Sequence, residues 1–174
     1  MKKDQIKPMP DYFDRYINKV DDVALLKALE ISLKEIEELP LKSFEALGDQ
    51  VYAPGKWTVK DILQHLIDTE RVFTYRATAF SRKEPGQVLS FDENLYVENA
   101  NANNRSLTDI VREMKIVRSS FIELYKSYSD EMLLRKGKGS TGEYSVLAIG
   151  FIIAGHQRWH LDVMKERYFP LLKK

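Results

Sequence analysis

Four stretches of the chain repeat apolar residues at the period of an α-helix, and each is bounded by proline, glycine or a capping residue. The first opens at Asp21/Asp22, carries Leu25, Leu26, Leu29, Leu33 and Ile36, and ends at Pro40, which cannot continue a helix. The second follows a Pro54-Gly55 turn: Thr58 and Asp61 form a capping box ahead of Val59, Ile62, Leu63, Leu66, Phe73, Ala77 and Phe80, and Pro85-Gly86 closes the segment. The third starts at Ser106-Leu107-Thr108-Asp109 and carries Ile110, Val111, Met114, Val117, Phe121, Leu124 and Tyr125. The fourth starts near Ser145, carries Val146, Ile149, Ile152, Ile153, Leu161 and Met164, and stops before Pro170. Helices apolar on one side must bury that side on each other, so the expected fold is all-α, a four-helix bundle. Tyr12, Phe13, Tyr16 and Ile17 share a face and predict a short N-terminal extension, about residues 1–20, packed on a single domain spanning 1–174. No strand-length alternation or internal repeat stands out.

The connections refine the topology. About Ser81 to Arg105 lies a long stretch rich in Asn, Asp and Glu, whereas antiparallel neighbours in bundles are usually joined by roughly 2–8 residues. A crossover of that length lets the second and third helices run parallel. The connection from Tyr128 to Tyr144 holds Gly137, Gly139 and Gly142 and is expected to be mobile.

Charge and composition then exclude several functions. Lys and Arg number 27 against 26 Asp and Glu, a net charge of +1 that provides no basis for sequence-independent nucleic-acid binding. With no cysteine, the chain has no disulfide, thiolate metal site, iron–sulfur cluster or cysteine nucleophile. The richest apolar run, Val146 to Ala154, is about half of what a membrane span needs, and Met1 to Pro10 has no signal-like apolar core, so no membrane partner and a cytoplasmic location are expected. No phosphate-binding glycine loop, G-x-S-x-G or H-E-x-x-H motif occurs.

The chain has three histidines, all on helical stripes. His156 and His160 are four residues apart, so they project from one helix face on successive turns, the spacing that brings two imidazoles to one ion. His65 lies at the edge of the second stripe beside Thr58, Asp61, Asp68 and Thr69. Three imidazoles suit a divalent metal, zinc or nickel first, with iron, copper or manganese as alternatives, and leave a position open for water or substrate. The competing reading is three hydrogen-bonded core histidines. Glu70 and Arg118 also occupy core-facing positions, either as a charge pair lining a pocket or as side chains reaching the bundle rim. Glu93 is a second candidate partner for Arg118, and Asp92, Glu93, Asn94 and Tyr96 are either placed to reach the mouth of a site or part of an ordinary polar loop, the reading the sequence alone favours. Arg158 should face away from the histidines and offers a surface for a homodimer; Trp57 reads as a staple at the start of the second helix.

Two segments resemble the DinB/YfiT-like family of metalloenzymes. Gly55-Lys56-Trp57-Thr58-Val59-Lys60-Asp61-Ile62-Leu63-Gln64-His65-Leu66 is similar to the family's G-x-W-[ST]-x-x-[ED]-[IV]-[LI]-x-H-[LI] segment, and His156-Gln157-Arg158-Trp159-His160 to its closing H-x-x-x-H. The resemblance covers about Leu25 to Tyr168. It implies a bundle of up-down-down-up topology with His65, His156 and His160 as metal ligands. Asp92-Glu93, Arg118 and His156/Arg158/His160 resemble the branch that includes bacillithiol-type thiol S-transferases, with departures at Trp159 and Tyr96. The function implied is divalent-metal-dependent transfer of a low-molecular-weight thiol to an electrophilic small molecule. Metal-dependent hydrolysis and a non-catalytic metal-binding stress protein are the alternatives.

Overall fold

The computed structural model describes residues 1–173. Its helices in chain order are α1 (Asp14–Ile17), α2 (Leu25–Glu37), α3 (Leu41–Leu47), α4 (Val59–Ser81), α5 (Glu93–Ala100), α6 (Leu107–Lys126), α7 (Asp130–Leu134) and α8 (Val146–Val163). The last continues through a π-turn, Met164–Tyr168, into a short 3₁₀ segment, Phe169–Lys173. Local chemistry sets the starts. Thr58 accepts from the Asp61 amide at 3.1 Å while Asp61 takes the Thr58 amide at 3.0 Å, a closed capping box on α4. Ser106 and Ser145 cap α6 and α8 in the same way, each accepting at 3.1 Å from the amide three residues on.

α2, α4, α6 and α8 form the bundle, and their contacts give their directions. Asp61 meets Asn103, Gln64 meets Arg105 and Glu70 meets Arg118; the numbers climb together, so α4 and α6 run parallel. Ser32 pairs with Arg118, and Leu25 and Tyr125 both lie against Gly150, so α2 is antiparallel to α6 and parallel to α8. The order is up-down-down-up. The parallel pair needs the crossover, whose far end Asn103 ties to the start of α4: its side-chain NH donates to Asp61 at 3.2 Å and its carbonyl oxygen accepts from Thr58 Oγ1 at 2.7 Å.

Both long connections contain short elements that no apolar stripe marks. The crossover is not wholly irregular: Asp92 caps α5 by accepting from the Asn94 and Leu95 amides at 2.9 and 3.1 Å. The glycine-rich connection contains α7 and an antiparallel hairpin, β1 (Lys136–Gly139) and β2 (Gly142–Ser145), paired Lys136 to Ser145 through Gly139 to Gly142. Its four-residue strands are too short and too rich in Gly and Lys to show alternation. Gly137 instead lets β1 lie on Phe80, since a Cβ there would stand 1.9 Å from that ring.

The core is split. One apolar cluster gathers the first turns of α2, the second halves of α4 and α6, and Val146 to Ala154 of α8. The other gathers Ile36, α3, Val59 to Ile67, Leu107 to Met114, Met164 and Tyr168. Between them, all four bundle helices contribute buried polar side chains: Ser32, Thr69 and Glu70, Arg118, and His156 and Gln157. That layer holds the site. No helix among the described residues is long and apolar enough to cross a membrane.

Candidate metal centre

His65 comes from α4, and His156 and His160 come from successive turns of α8, which runs alongside it. The Nε2 atoms of His65 and His156 are 3.2 Å apart, and those of His156 and His160 are 3.1 Å apart. One ring nitrogen from each histidine lies within 4.8 Å of the other two. Zinc–imidazole bonds of about 2.0–2.1 Å put tetrahedral ligand nitrogens about 3.3 Å from each other, close to these separations.

Hydrogen bonding alone does not satisfy this arrangement. A neutral imidazole nitrogen has either one proton or one lone pair, so His156 Nε2 bonds one of its neighbours and leaves the other facing it unmatched. Three lone pairs turned toward one cation have no such conflict. The donor set is also in the required neutral form. Burial first, then the neighbouring His160, lowers His65 to about 3; burial lowers His160 to about 4. His156 is held well below its usual range by burial, then by His160, His65 and the charges of Arg118 and Arg15. The outer nitrogens differ: Thr69 Oγ1 lies 3.4 Å from His65 Nδ1, while His160 Nδ1 is buried without a protein partner. The residues therefore fit a divalent metal.

A cavity of about 260 Å³ opens beside His160. Tyr52, Trp57, Ile62, Val163 and Tyr168 line it, with Lys56 and Asn94. Trp57 is more than a staple at a helix start: its ring centre is 4.9 Å from that of His65, and its carbonyl accepts a hydrogen bond from the Tyr168 hydroxyl. On the other flank, Tyr16 of α1 stands edge-on to His156 at 5.0 Å and to Trp159 at 5.7 Å. Burial raises the Tyr16 phenol to about 12, so it stays protonated. The shared aromatic face of Tyr12 and Tyr16 was the sequence signal for α1, but periodicity does not say which bundle helix receives it.

Glu70 and Arg118 do not reach the rim. They are 5% and 2% exposed and form a bidentate pair at 2.8 and 3.1 Å. Arg118 also donates to Ser32 Oγ, and the Ser32 carbonyl accepts from Gln157 Nε2 at 2.9 Å, so the pair braces the α8 turn that carries His156. It lies within the core beside the histidines and does not line the cavity. Glu93 is not its partner: Glu93 opens α5 at the surface, where partial burial raises its carboxyl against the opposing charge of Arg15. Tyr96 is exposed and packs on Phe91 at 5.0 Å. Arg158 faces away from the histidines, but its guanidinium is taken up within the chain by Glu35 and Asp21, at 2.8 and 2.9 Å, and by the Lys19 carbonyl at 2.9 Å.

A parallel-crossover helical bundle with three imidazoles converging between α4 and α8 defines a narrow class. The DinB superfamily model matches residues 24–164, and the chain belongs to that superfamily. Among solved structures it is similar to YfiT from Bacillus subtilis, described as "a probable metal-dependent hydrolase with an unusual four-helix bundle topology". The TM-score is 0.69 at 16% identity, covering 94% of this chain and 89% of that one, a likeness of fold. No curated protein matches.

Proposed function

We propose that this protein is a divalent-metal-dependent enzyme acting on a small molecule, with His65, His156 and His160 as the ligands. The convergence of three neutral Nε2 atoms beside an aromatic-walled cavity carries the reading. Zinc or nickel suits an all-imidazole set best, with iron or manganese as alternatives. When bound, the metal supplies a Lewis-acid position that lowers the pKa of a coordinated thiol or water. The rest falls to the chain. Burial keeps the imidazoles unprotonated, Trp57, Tyr52 and Tyr168 limit water, and the Glu70–Arg118–Ser32–Gln157 chain holds His156 in place.

The favoured reaction is transfer of a low-molecular-weight thiol to an electrophile. The thiol loses its proton to solvent, a carbon–sulfur bond forms, and the leaving group departs with its electron pair. The chain has no cysteine, so the nucleophile must arrive as substrate. The apolar wall of Trp57, Ile62 and Val163 suits an apolar electrophile. The Asp92-Glu93, Arg118 and His156/Arg158/His160 pattern supports this branch. The alternative is hydrolysis, the activity called probable for YfiT, whose fold this chain shares; water would then be activated at the metal in place of a thiol.

The experiment begins with elemental analysis of untagged protein. Metal-loaded enzyme then receives monochlorobimane with bacillithiol, glutathione, cysteine or coenzyme A, and separately ester and amide substrates. Conjugation that disappears on chelation and in His156→Ala supports transfer. Turnover of esters or amides alone makes the protein a hydrolase, and no metal uptake at all defeats both readings.

A further inference from the structure

The face of α1 beside the histidines carries a cation without a carboxylate partner. The Arg15 guanidinium lies over the Tyr12 ring at 4.0 Å, with Tyr16 at 5.0 Å and Trp159 at 5.7 Å. Stacking of this kind fixes the plane of the group and leaves its N–H edges free to donate. Its cationic neighbours are already occupied: Lys19 pairs with Asp162 at 2.5 Å, and Arg158 pairs with Asp21 and Glu35. Among the described residues no carboxylate comes within ion-pairing distance of Arg15, whose only side-chain partner of that kind is the Asp14 oxygen on its backbone amide.

This cation stands next to the site. The Tyr16 ring that Arg15 covers is the ring packed edge-on against His156, so one aromatic ring separates the guanidinium from the imidazole cluster. Its charge is felt at His156 and at Glu93, which begins the helix whose Asn94 lines the cavity beside His160. A molecule seated at the histidines thus has on its α1 side, beyond the Tyr16 ring, a guanidinium that no carboxylate pairs directly, with Glu93 an opposing charge that feels it.

We propose that Arg15 forms an anion subsite beside the metal centre, and that the thiol substrate carries a carboxylate which Arg15 holds while its sulfur faces the histidines. The proposal rests on the metal and thiol reading given above. It makes Arg15 a specificity residue, one that chooses among thiols without taking part in their deprotonation.

The test is equilibrium binding, measured calorimetrically on zinc-loaded protein at low ionic strength, with mercaptopropionate and mercaptopropanol as probes. A charge-assisted hydrogen bond at a partly exposed site is worth about tenfold in affinity, so the wild type should prefer the carboxylate thiol by at least that factor. Arg15→Met should bring the ratio to about threefold or less, and Arg15→Lys should retain part of it because the charge survives without the fork. Lys19→Met, which removes a neighbouring paired cation, should leave the ratio at its wild-type value. A wild-type ratio near one, or a preference that survives Arg15→Met, overturns the Arg15 assignment and leaves the thiol reading standing. If neither probe binds zinc-loaded protein, the thiol reading falls and the subsite falls with it.

Discussion

Removing Glu70 tests whether the polar layer is held by the ion pair within it. In Glu70→Leu, Arg118 loses both carboxylate bonds and keeps only Ser32 Oγ as a side-chain acceptor, at a position 2% exposed. Arginine cannot shed its proton at accessible pH, so titration offers no relief. Breaking a buried pair by deleting one partner costs about 3–5 kcal/mol. At about 2–4 °C per kcal/mol for a chain of this size, Tm should fall by roughly 6–20 °C. Replacing both partners tells pairing from packing. Glu70→Leu with Arg118→Met removes the orphaned charge as well, so the double variant should recover at least half of the single variant's loss. Urea unfolding of wild type, both single variants and the double variant measures the coupling. A Glu70→Leu protein within about 1 kcal/mol of wild type would refute the reasoning, because it would mean that Arg118 finds water or another acceptor without cost.

In metal-uptake experiments, His65→Ala, His156→Ala and His160→Ala should each lower bound zinc to less than about a tenth of wild type, and retention of full zinc by any one would remove that residue from the ligand set. Zinc at about 100 times its Kd should raise the stability of the wild type by about 2.7 kcal/mol, and chelation should return it. Without metal, acid should destabilise the fold: the unfolded histidines take protons near 6.5, while folded His65 and His160 do so only at about 3 and about 4. Between those values the unfolded chain binds more protons, so stability rises with pH and falls by about 1.4 kcal/mol per histidine for each unit of acidification; identical urea midpoints at pH 7 and pH 5 would contradict this. Gly155→Ala places a Cβ 1.9 Å from the Tyr16 carbonyl oxygen, so it should cost about 1–3 kcal/mol and shift Trp159 fluorescence as α1 lifts from α8; a stabilised variant would show that α1 adjusts freely.

What could be read from the chain followed from how local each signal was. The bundle helices were legible because each carries its own stripe and its own cap: Thr58 with Asp61, Ser106 with Asp109, and Ser145 ahead of Val146. α3 was not, since Leu41–Leu47 is too short to show a period and follows directly on Pro40. α5 was missed for another reason. None of Glu93–Ala100 is buried, so it has no apolar stripe to read, and only the Asp92 cap marks it. The His156/His160 pair was legible because both lie on one helix, but its closure by His65 depends on how α4 and α8 pack, which no local pattern contains.

The same distinction explains why the surroundings of the histidines were harder to read than the histidines themselves. Trp57 precedes its helix, yet the Tyr168 hydroxyl holds its carbonyl and its ring covers His65. Tyr16 reaches His156 only because residue 155 is glycine, which lets the α1 backbone approach α8 closely. Neither contact produces periodicity. Arg118 and Glu70 were visible as charges on apolar stripes, and their place follows from the fold: with one apolar cluster on each side, a charge at that level must find its partner within the layer. The layer that gathers the ion pair, Ser32 and Gln157 thus also positions His156, and a change that loosens the pair should be felt at the imidazoles before it is felt at either apolar cluster.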